Sequence, residues 1–529
     1  MTLKRLGIKN TRYLALVISM QDSSKKKVFV AGLRNIFWPI HSSELRLFMP
    51  MALMMLCLLF NFGTLRSVKD SLIVPGIGAE AISFLKLWLV LPSTVIFTLL
   101  YVKLSNLFNY EHVFYIIVTF FLGFFILFAY VLYPGQLFFH PAEARINDLI
   151  IEFPNFKWFI LIAGKWSYAL MYVFCELWSV VVINLLFWQY ANYIFNTDSA
   201  KRFYPILGMV GNFGLIIAGN FLVAFSDLSG LADINILQNH NFDIDYQCTK
   251  VLRPITHTVI FAGILAMCLY RYIDKYVLKD SKFNMQFGFR VTNTKTKLSV
   301  ADSIKLLISS RYLGHIVLLI LCYGLLINIL EGPWKARVRE LYPGTVEYIH
   351  FMGKFNIWMG ISCVSFMVIG SNILRRFSWL TAALITPIML TCTGLIFFIF
   401  VIFAGHMDFF GKDFNPIYFA VVIGAVQNIL SKSTKYSLFD STKEMSYIPL
   451  SLELKTKGKA AVEVVGLKFG KSLGAFIQSF MFILLPTATF DSVTAYLMLI
   501  FIVVMIVWVL NIIVLNKQYL AFGGENRKG

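Results

Sequence analysis

Uninterrupted apolar runs of about 20 residues recur along this chain, the length an α-helix needs to cross a bilayer core. Twelve can be placed, at roughly 47–65, 82–102, 113–133, 166–188, 203–225, 255–274, 312–330, 350–373, 378–404, 416–431, 463–485 and 493–515. Within lipid, backbone polar groups are satisfied only in helices or closed barrels. Barrel strands read as short alternating segments, whereas these runs are continuous. The predicted fold class is therefore an all-α polytopic membrane protein, with the lipid bilayer as its solvent. Composition agrees: 58% of the 529 residues are hydrophobic and 14% are charged, where a soluble protein carries about 25% charged residues.

The charge that remains is mostly positive, net +19. In a soluble domain such a balance points to nucleic acid. Here basic loops account for much of it, and no nucleic-acid partner is expected. Lys275, Lys279, Lys282, Arg290, Lys295, Lys297, Lys305 and Arg311 crowd the linker between the sixth and seventh runs. Lys201–Arg202, Arg375–Arg376 and the basic residues before the first run fall on the same side. Cytoplasmic loops carry the excess of Lys and Arg, so both termini and this linker are expected in the cytoplasm. The expected organisation is a basic segment 1–46, a six-helix bundle 47–274, the linker 275–311, a second six-helix bundle 312–515 and a tail 516–529. Tyr13–Met20 is a short apolar run without a small-x-small cleavage site, and Met20 is an alternative translation start.

The two halves share a faint pattern. Lys201 precedes Gly208 by seven residues entering the fifth run, and Lys459 precedes Gly466 by seven entering the eleventh. Gly211, Gly214 and Gly219 follow in one, Gly470 and Gly474 in the other, allowing close helix approach. The second run opens FLKLW and the eighth FMGKFNIW. Duplicated six-helix units are the pattern of major-facilitator-type transporters.

Ionisable groups inside or beside apolar runs are expensive, about 3 kcal/mol or more at the bilayer centre, and mark functional sites by default. Lys86 lies in ISFLKLWLVLP, Glu176 in MYVFCELWSVV, and Glu331 in INILEGPWKAR with Lys335 and Arg337 beyond it. Arg66 and Lys69 close the first run, and Lys457 and Lys459 precede the eleventh. Each also has a structural reading. Lys86 can snorkel to an interface, Arg66 and Lys69 can anchor a helix end, and Glu176 can belong to a fixed ion pair. Facing one cavity, the cations suit a polyanion, with Arg gripping phosphate oxygens bidentately and Lys acting as a point charge. Carboxylates there neutralise the lysines when no anion is bound, and pairs that break and re-form offer a switch.

Chemistry beyond binding is not indicated. GLKFGKS (Gly466–Ser472) has three residues between its glycines where a phosphate-binding loop has four, and no strand signal precedes it. Cys57, Cys175, Cys248, Cys268, Cys322, Cys363 and Cys392 are scattered, without CxxC spacing. No enzyme, metal site or cofactor is expected. A proton symporter using Glu176, a membrane enzyme acting on a phosphorylated lipid, and a structural scaffold are the competing classes.

The stretches NFGTLRSVKDSLIV, AISFLKLWLVLPS, CELWSVVVINLLFWQYAN, INILEGPWKARVRELYP, SKSTKYSLFDSTKEMSYIPL and KTKGKAAVEVVGLKFGKS resemble the nucleotide transporter (ADP/ATP translocase) family of obligate intracellular bacteria and plastids, closest to its rickettsial branch. The resemblance runs from Asn35 to Leu515. It implies a twelve-helix, major-facilitator-like antiporter of the bacterial inner membrane. Such a protein imports host ATP in exchange for ADP, with no cofactor and no obligate protein partner. It also implies functional roles for Lys86, Glu176, Glu331 and Lys457 as substrate-binding residues, with Arg66 beside them and Lys69, Lys335 and Lys459 as further candidates. Ser441, Leu473, Cys175 and Ser179 depart from the family pattern, and Leu473, standing for a small residue, is expected to alter close packing near the cavity. Exchange of GTP, CTP or UTP with their diphosphates, or of another organic anion, is the alternative.

Overall fold

In a computed structural model, residues 40–195, 197–228, 241–278, 310–403, 415–450 and 459–522 are described, and among them there are helices and no strands. The spans in chain order are α1 (Ser42–Gly76), α2 (Ala81–Leu107), α3 (Tyr110–Leu132), α4 (Trp166–Ile194), α5 (Arg202–Leu228), α6 (Cys248–Val277), α7 (Arg311–Leu341), α8 (Thr345–Arg376), α9 (Trp379–Ile402), α10 (Pro416–Thr434), α11 (Lys459–Leu484) and α12 (Phe490–Ala521). Ten of them are long and apolar enough to cross a membrane; α10 and α11 fall short of that measure but lie where the tenth and eleventh runs were expected. Outward-facing side chains such as Leu99, Phe261, Trp358 and Leu510 are exposed and apolar, as a surface bathed in lipid requires.

Several helices outrun the apolar stretches that announced them. The first run was read as ending at residue 65 with Arg66 and Lys69 at its end, yet α1 continues through both to Gly76. The charges do not stop the helix because each finds a partner on another span, and buried charge is tolerated when paired. The helix stops instead at Pro75–Gly76, followed by Gly78 at φ 144°, a conformation suited to glycine.

Beside the contact of α1 with α8, two seams join the halves, α5 against α8 and α2 against α11. A two-fold repeat pairing the second run with the eighth, and the fifth with the eleventh, turns each of these seams into the other. Glycines set the approach. A Cβ on Gly219 of α5 would lie 2.5 Å from the Gly353 carbonyl of α8, and one on Gly360 would lie 2.9 Å from the Asn212 carbonyl. On α11, Gly474 abuts Asn328 and Leu325 of α7. Leu473 does not bear out its expected effect on packing. It sits one residue away, is 43% exposed, and leaves the contact to Gly474.

Among the described residues four spans contain π-helical turns, at Leu85–Val90, Phe128–Leu132, Trp178–Phe187 and Ile273–Val277, and a fifth lies just past α10 at Lys435–Phe439. Such widened turns occur often at functional sites. The first contains Lys86 and the third begins two residues after Glu176.

Candidate functional site

Two helix faces carry the charge. On α1, Arg66, Lys69 and Asp70 are spaced so that three- and four-residue steps bring them to one side. On α7, Asn328, Glu331 and Lys335 follow the same rule. Between Glu331 and Lys335 stand Gly332 and Pro333. Pro333 has no N–H to give the carbonyl four residues back, which loosens the helix there. Gly332 leaves room for the ring of Phe490, which a Cβ would approach to 2.4 Å. The Trp334 indole N–H donates to the Val421 carbonyl at 3.0 Å and fixes α7 against α10.

These faces meet at the centre of the bundle. Lys335 Nζ lies 2.9 Å from Asp70 Oδ2 and 3.4 Å from Glu331 Oε1. Lys69 Nζ lies 2.8 Å from Asp70 Oδ1 and 3.0 Å from Glu176 Oε1 of α4. It also sits 4.0 Å from the centroid of the Tyr172 ring. Glu331 receives Lys86 of α2 at 3.1 Å on Oε2 and Arg66 at 3.4 Å on Oε1. Lys86 further donates to Asn328 Oδ1 at 2.7 Å. Four cations and three carboxylates thus form one network drawn from α1, α2, α4 and α7.

The network has two layers. Asp70, Lys335 and Lys69 are closed off from solvent and brace the two halves. Lys86 at 18%, Glu176 at 28%, and Arg66 and Glu331 at 11% and 12% side-chain exposure reach accessible space. One positive charge in this layered set is left over once the carboxylates are counted against the cations. An accessible, cation-rich rim on a rigid base can take up an anion by exchanging carboxylate partners for it.

Past the network, toward the Gly76 end of α1 and the Leu341 end of α7, the halves are tied together. Glu80 Oε1 accepts the Phe490 N–H at 3.1 Å, at the first residue of α12. Asn155 donates to the Ile483 carbonyl at 2.8 Å, and Arg339 to the Pro75 carbonyl at 3.4 Å. His350 of α8 lies 3.2 Å from Asp227 of α5.

Six of the sequence-nominated residues, Arg66, Lys69, Lys86, Glu176, Glu331 and Lys335, are gathered in this network. Arg337 stands apart, paired with Asp491 at 2.5 Å and with Glu340 at 2.8 Å. Lys457 lies outside the described residues, and Lys459 begins α11 with its side chain outside them. Asp70 and Asn328 were missed. Asp70 could have been found from the spacing of Arg66, Lys69 and Asp70 on a helix carried past residue 65. Asn328 gives no such signal, being neutral within an apolar run.

The chain matches the family model described as TLC ATP/ADP transporter over residues 23–519. The chain belongs to the TLC ATP/ADP transporter family. It is 63% identical over 495 residues to ADP,ATP carrier protein 3 of Rickettsia felis, covering 93% of this chain and 98% of that protein. Against ADP,ATP carrier protein 3 of Rickettsia prowazekii it is 63% identical over 494 residues, with the same coverage. Against ADP,ATP carrier protein 1 of Rickettsia prowazekii it is 44% identical over 514 residues, covering 96% of this chain and all of that protein. Among solved structures it is similar to a D-xylose-proton symporter, at a TM-score of 0.55 and 12% identity over 90% of this chain and 97% of that one. The xylose transporter XylE from E. coli, partially occluded and inward open, gives 0.53 at 11% identity over 89% and 97%. These likenesses establish a major-facilitator-like fold. The family is one of transporters, and the ion network lies between the two halves of this family member.

Proposed function

We propose that this family member is a nucleotide antiporter that imports ATP in exchange for ADP by alternating access across a bacterial inner membrane. The observation that carries the reading is the cross-half network of Arg66, Lys69, Lys86 and Lys335 with Asp70, Glu176 and Glu331. It offers cations to a polyphosphate and holds carboxylates ready to replace it. The names of the rickettsial relatives, ADP,ATP carrier proteins, support the substrate.

In this reading Lys86 and Arg66 bind phosphate oxygens, Arg66 with its guanidinium fork. Entry of the phosphates frees Glu331 from Lys86 and Arg66. Because Glu331 belongs to α7 and the two cations to α1 and α2, that exchange removes ties between the halves and favours their movement. Glu176 balances charge on Lys69 while this occurs. Lys457 and Lys459 are proposed as further phosphate contacts.

The positive-inside rule orients the protein. Both termini and the linker 275–311 between the bundles 47–274 and 312–515 lie in the cytoplasm. The end closed by Glu80, Asn155 and Arg339 then faces outward, and the accessible rim is reached from the cytoplasm.

A second reading keeps the mechanism and changes the base. The network recognises charge, and none of its members is committed to one nucleobase. The departures from the family pattern at Cys175, Ser179, Ser441 and Leu473 favour testing GTP, CTP and UTP beside ATP. Counter-exchange in liposomes containing the purified protein decides between the readings: labelled ATP is taken up only when ADP is enclosed, or another nucleotide takes its place.

A further inference from the structure

Among the described residues, Lys432 near the centre has no carboxylate partner. Lys432 of α10 has a buried Nζ with no hydrogen-bond partner among the described residues, and its ammonium lies 5.6 Å from the centroid of the Phe355 ring of α8. Arg66 addresses the same ring, its Cζ 5.9 Å from the centroid. The neighbouring Lys435 is satisfied by Asp440 at 2.8 Å. A desolvated cation–π contact offsets only part of the cost of burying an ion. Phe355 alone does not offset that cost.

The position is as informative as the missing carboxylate. The Trp334 indole of α7 reaches the Val421 carbonyl of α10, while Tyr323 of α7 stacks on Phe439 beyond α10, with centroids 4.9 Å apart. The two helices therefore run antiparallel. Lys432, lying between Val421 and Phe439, falls to the Tyr323 side of Glu331. That places it away from the tied end, on the approach to the rim formed by Arg66, Lys86 and Glu331.

We propose that Lys432 is a phosphate-binding residue contributed by the second half of the protein. With Arg66 and Lys86 of the first half it forms a clamp on the substrate's polyphosphate chain. The inference rests on the nucleotide reading for its substrate, and on geometry for its site. Arg66 and Lys86 exchange Glu331 for phosphate, so part of their gain is cancelled. Lys432 gives up no carboxylate, so its attraction to phosphate is not cancelled in this way. Because the clamp draws on both halves, bound polyphosphate couples them.

The test uses the purified full-length protein and inorganic tripolyphosphate, read by thermal unfolding. Wild type, Lys432→Arg and Lys103→Gln, which removes an exposed charge, are expected to be stabilised at similar concentrations. Lys432→Gln and Lys432→Met are expected to need at least about tenfold more tripolyphosphate, a loss of about 1.4 kcal/mol. Without ligand, both neutral variants are expected to melt no lower than wild type, because an uncompensated buried charge has been removed. An unchanged tripolyphosphate response in the neutral variants overturns the proposal. So does absence of a wild-type response, failure of both neutral variants to fold, or a stronger response to orthophosphate than to tripolyphosphate. Nucleotide uptake by the same wild-type preparation reports separately on the nucleotide reading. A Lys432-dependent tripolyphosphate response without uptake of any nucleotide leaves the anion site standing and overturns that reading instead.

Discussion

Lys335 of α7 and Asp70 of α1 form a 2.9 Å ion pair between the two halves, with side chains 1% and 0% exposed. Lys69 holds the other oxygen of the same carboxylate at 2.8 Å. Asp70 is therefore the counter-charge of two buried lysines. Removing one partner of a buried pair costs about 3–5 kcal/mol, because the other charge is left uncompensated. Asp70→Asn is expected to lower the melting temperature of the purified protein markedly. Asp70→Asn combined with Lys335→Met is expected to recover part of that loss. A double variant no more stable than Asp70→Asn alone would contradict the pairing.

The accessible layer is expected to respond differently. Lys86→Ala and Glu331→Ala each remove a partner at the rim and are expected to lower transport at least about tenfold, a barrier change of about 1.4 kcal/mol. Initial rates of nucleotide counter-exchange, normalised to the amount of protein inserted, measure this. Glu176→Gln is expected to lower the rate as well, since Lys69 then loses the carboxylate 3.0 Å away. Near-normal rates in both Lys86→Ala and Glu331→Ala would remove them from the substrate site while leaving the family assignment intact.

At the tied end, Glu80 supplies a charged acceptor to the Phe490 N–H at the start of α12. Hydrogen bonds to charged groups contribute about 1.5–3 kcal/mol. If the proposed orientation holds, with this end facing outward, Glu80→Ala is expected to shift the population toward its open form by about tenfold, the lower limit of that range. Ala79, buried beside it, provides the probe. Labelling of Ala79→Cys by a membrane-impermeant maleimide added outside is expected to accelerate when Glu80→Ala is introduced. Equal labelling rates with and without Glu80→Ala would show that this contact does not hold the end shut.

Much of this arrangement was legible in the sequence because lipid imposes a simple rule on apolar length and on isolated charge. Lys86, Glu176 and Glu331 stood out for that reason, and all three enter the network. The same rule misjudged α1: an apolar-run criterion stops at the first charge, so it placed Arg66 and Lys69 at a helix end and passed over Asp70. Pairs with distant residues on other spans, Arg66 with Glu331, Lys69 with Glu176 and Asp70 with Lys335, explain how the helix carries those charges into the bundle. The tenth run, read as ending at residue 431, likewise excluded Lys432, although α10 extends through it to Thr434. Asn328 was illegible for a different reason, since a neutral amide within an apolar run carries no charge signal. Its role appears only once Lys86 is seen to donate to it.

The central claim is nucleotide exchange, and counter-exchange measures it most directly. Labelled ATP, GTP, CTP and UTP are offered in parallel to liposomes containing the purified protein, with or without enclosed ADP. The account predicts uptake of labelled ATP that depends on enclosed ADP and is lost in Lys86→Ala. Uptake of another nucleotide in its place would keep the network and change the base. No uptake of any nucleotide, from protein shown to be folded and inserted, would contradict the account.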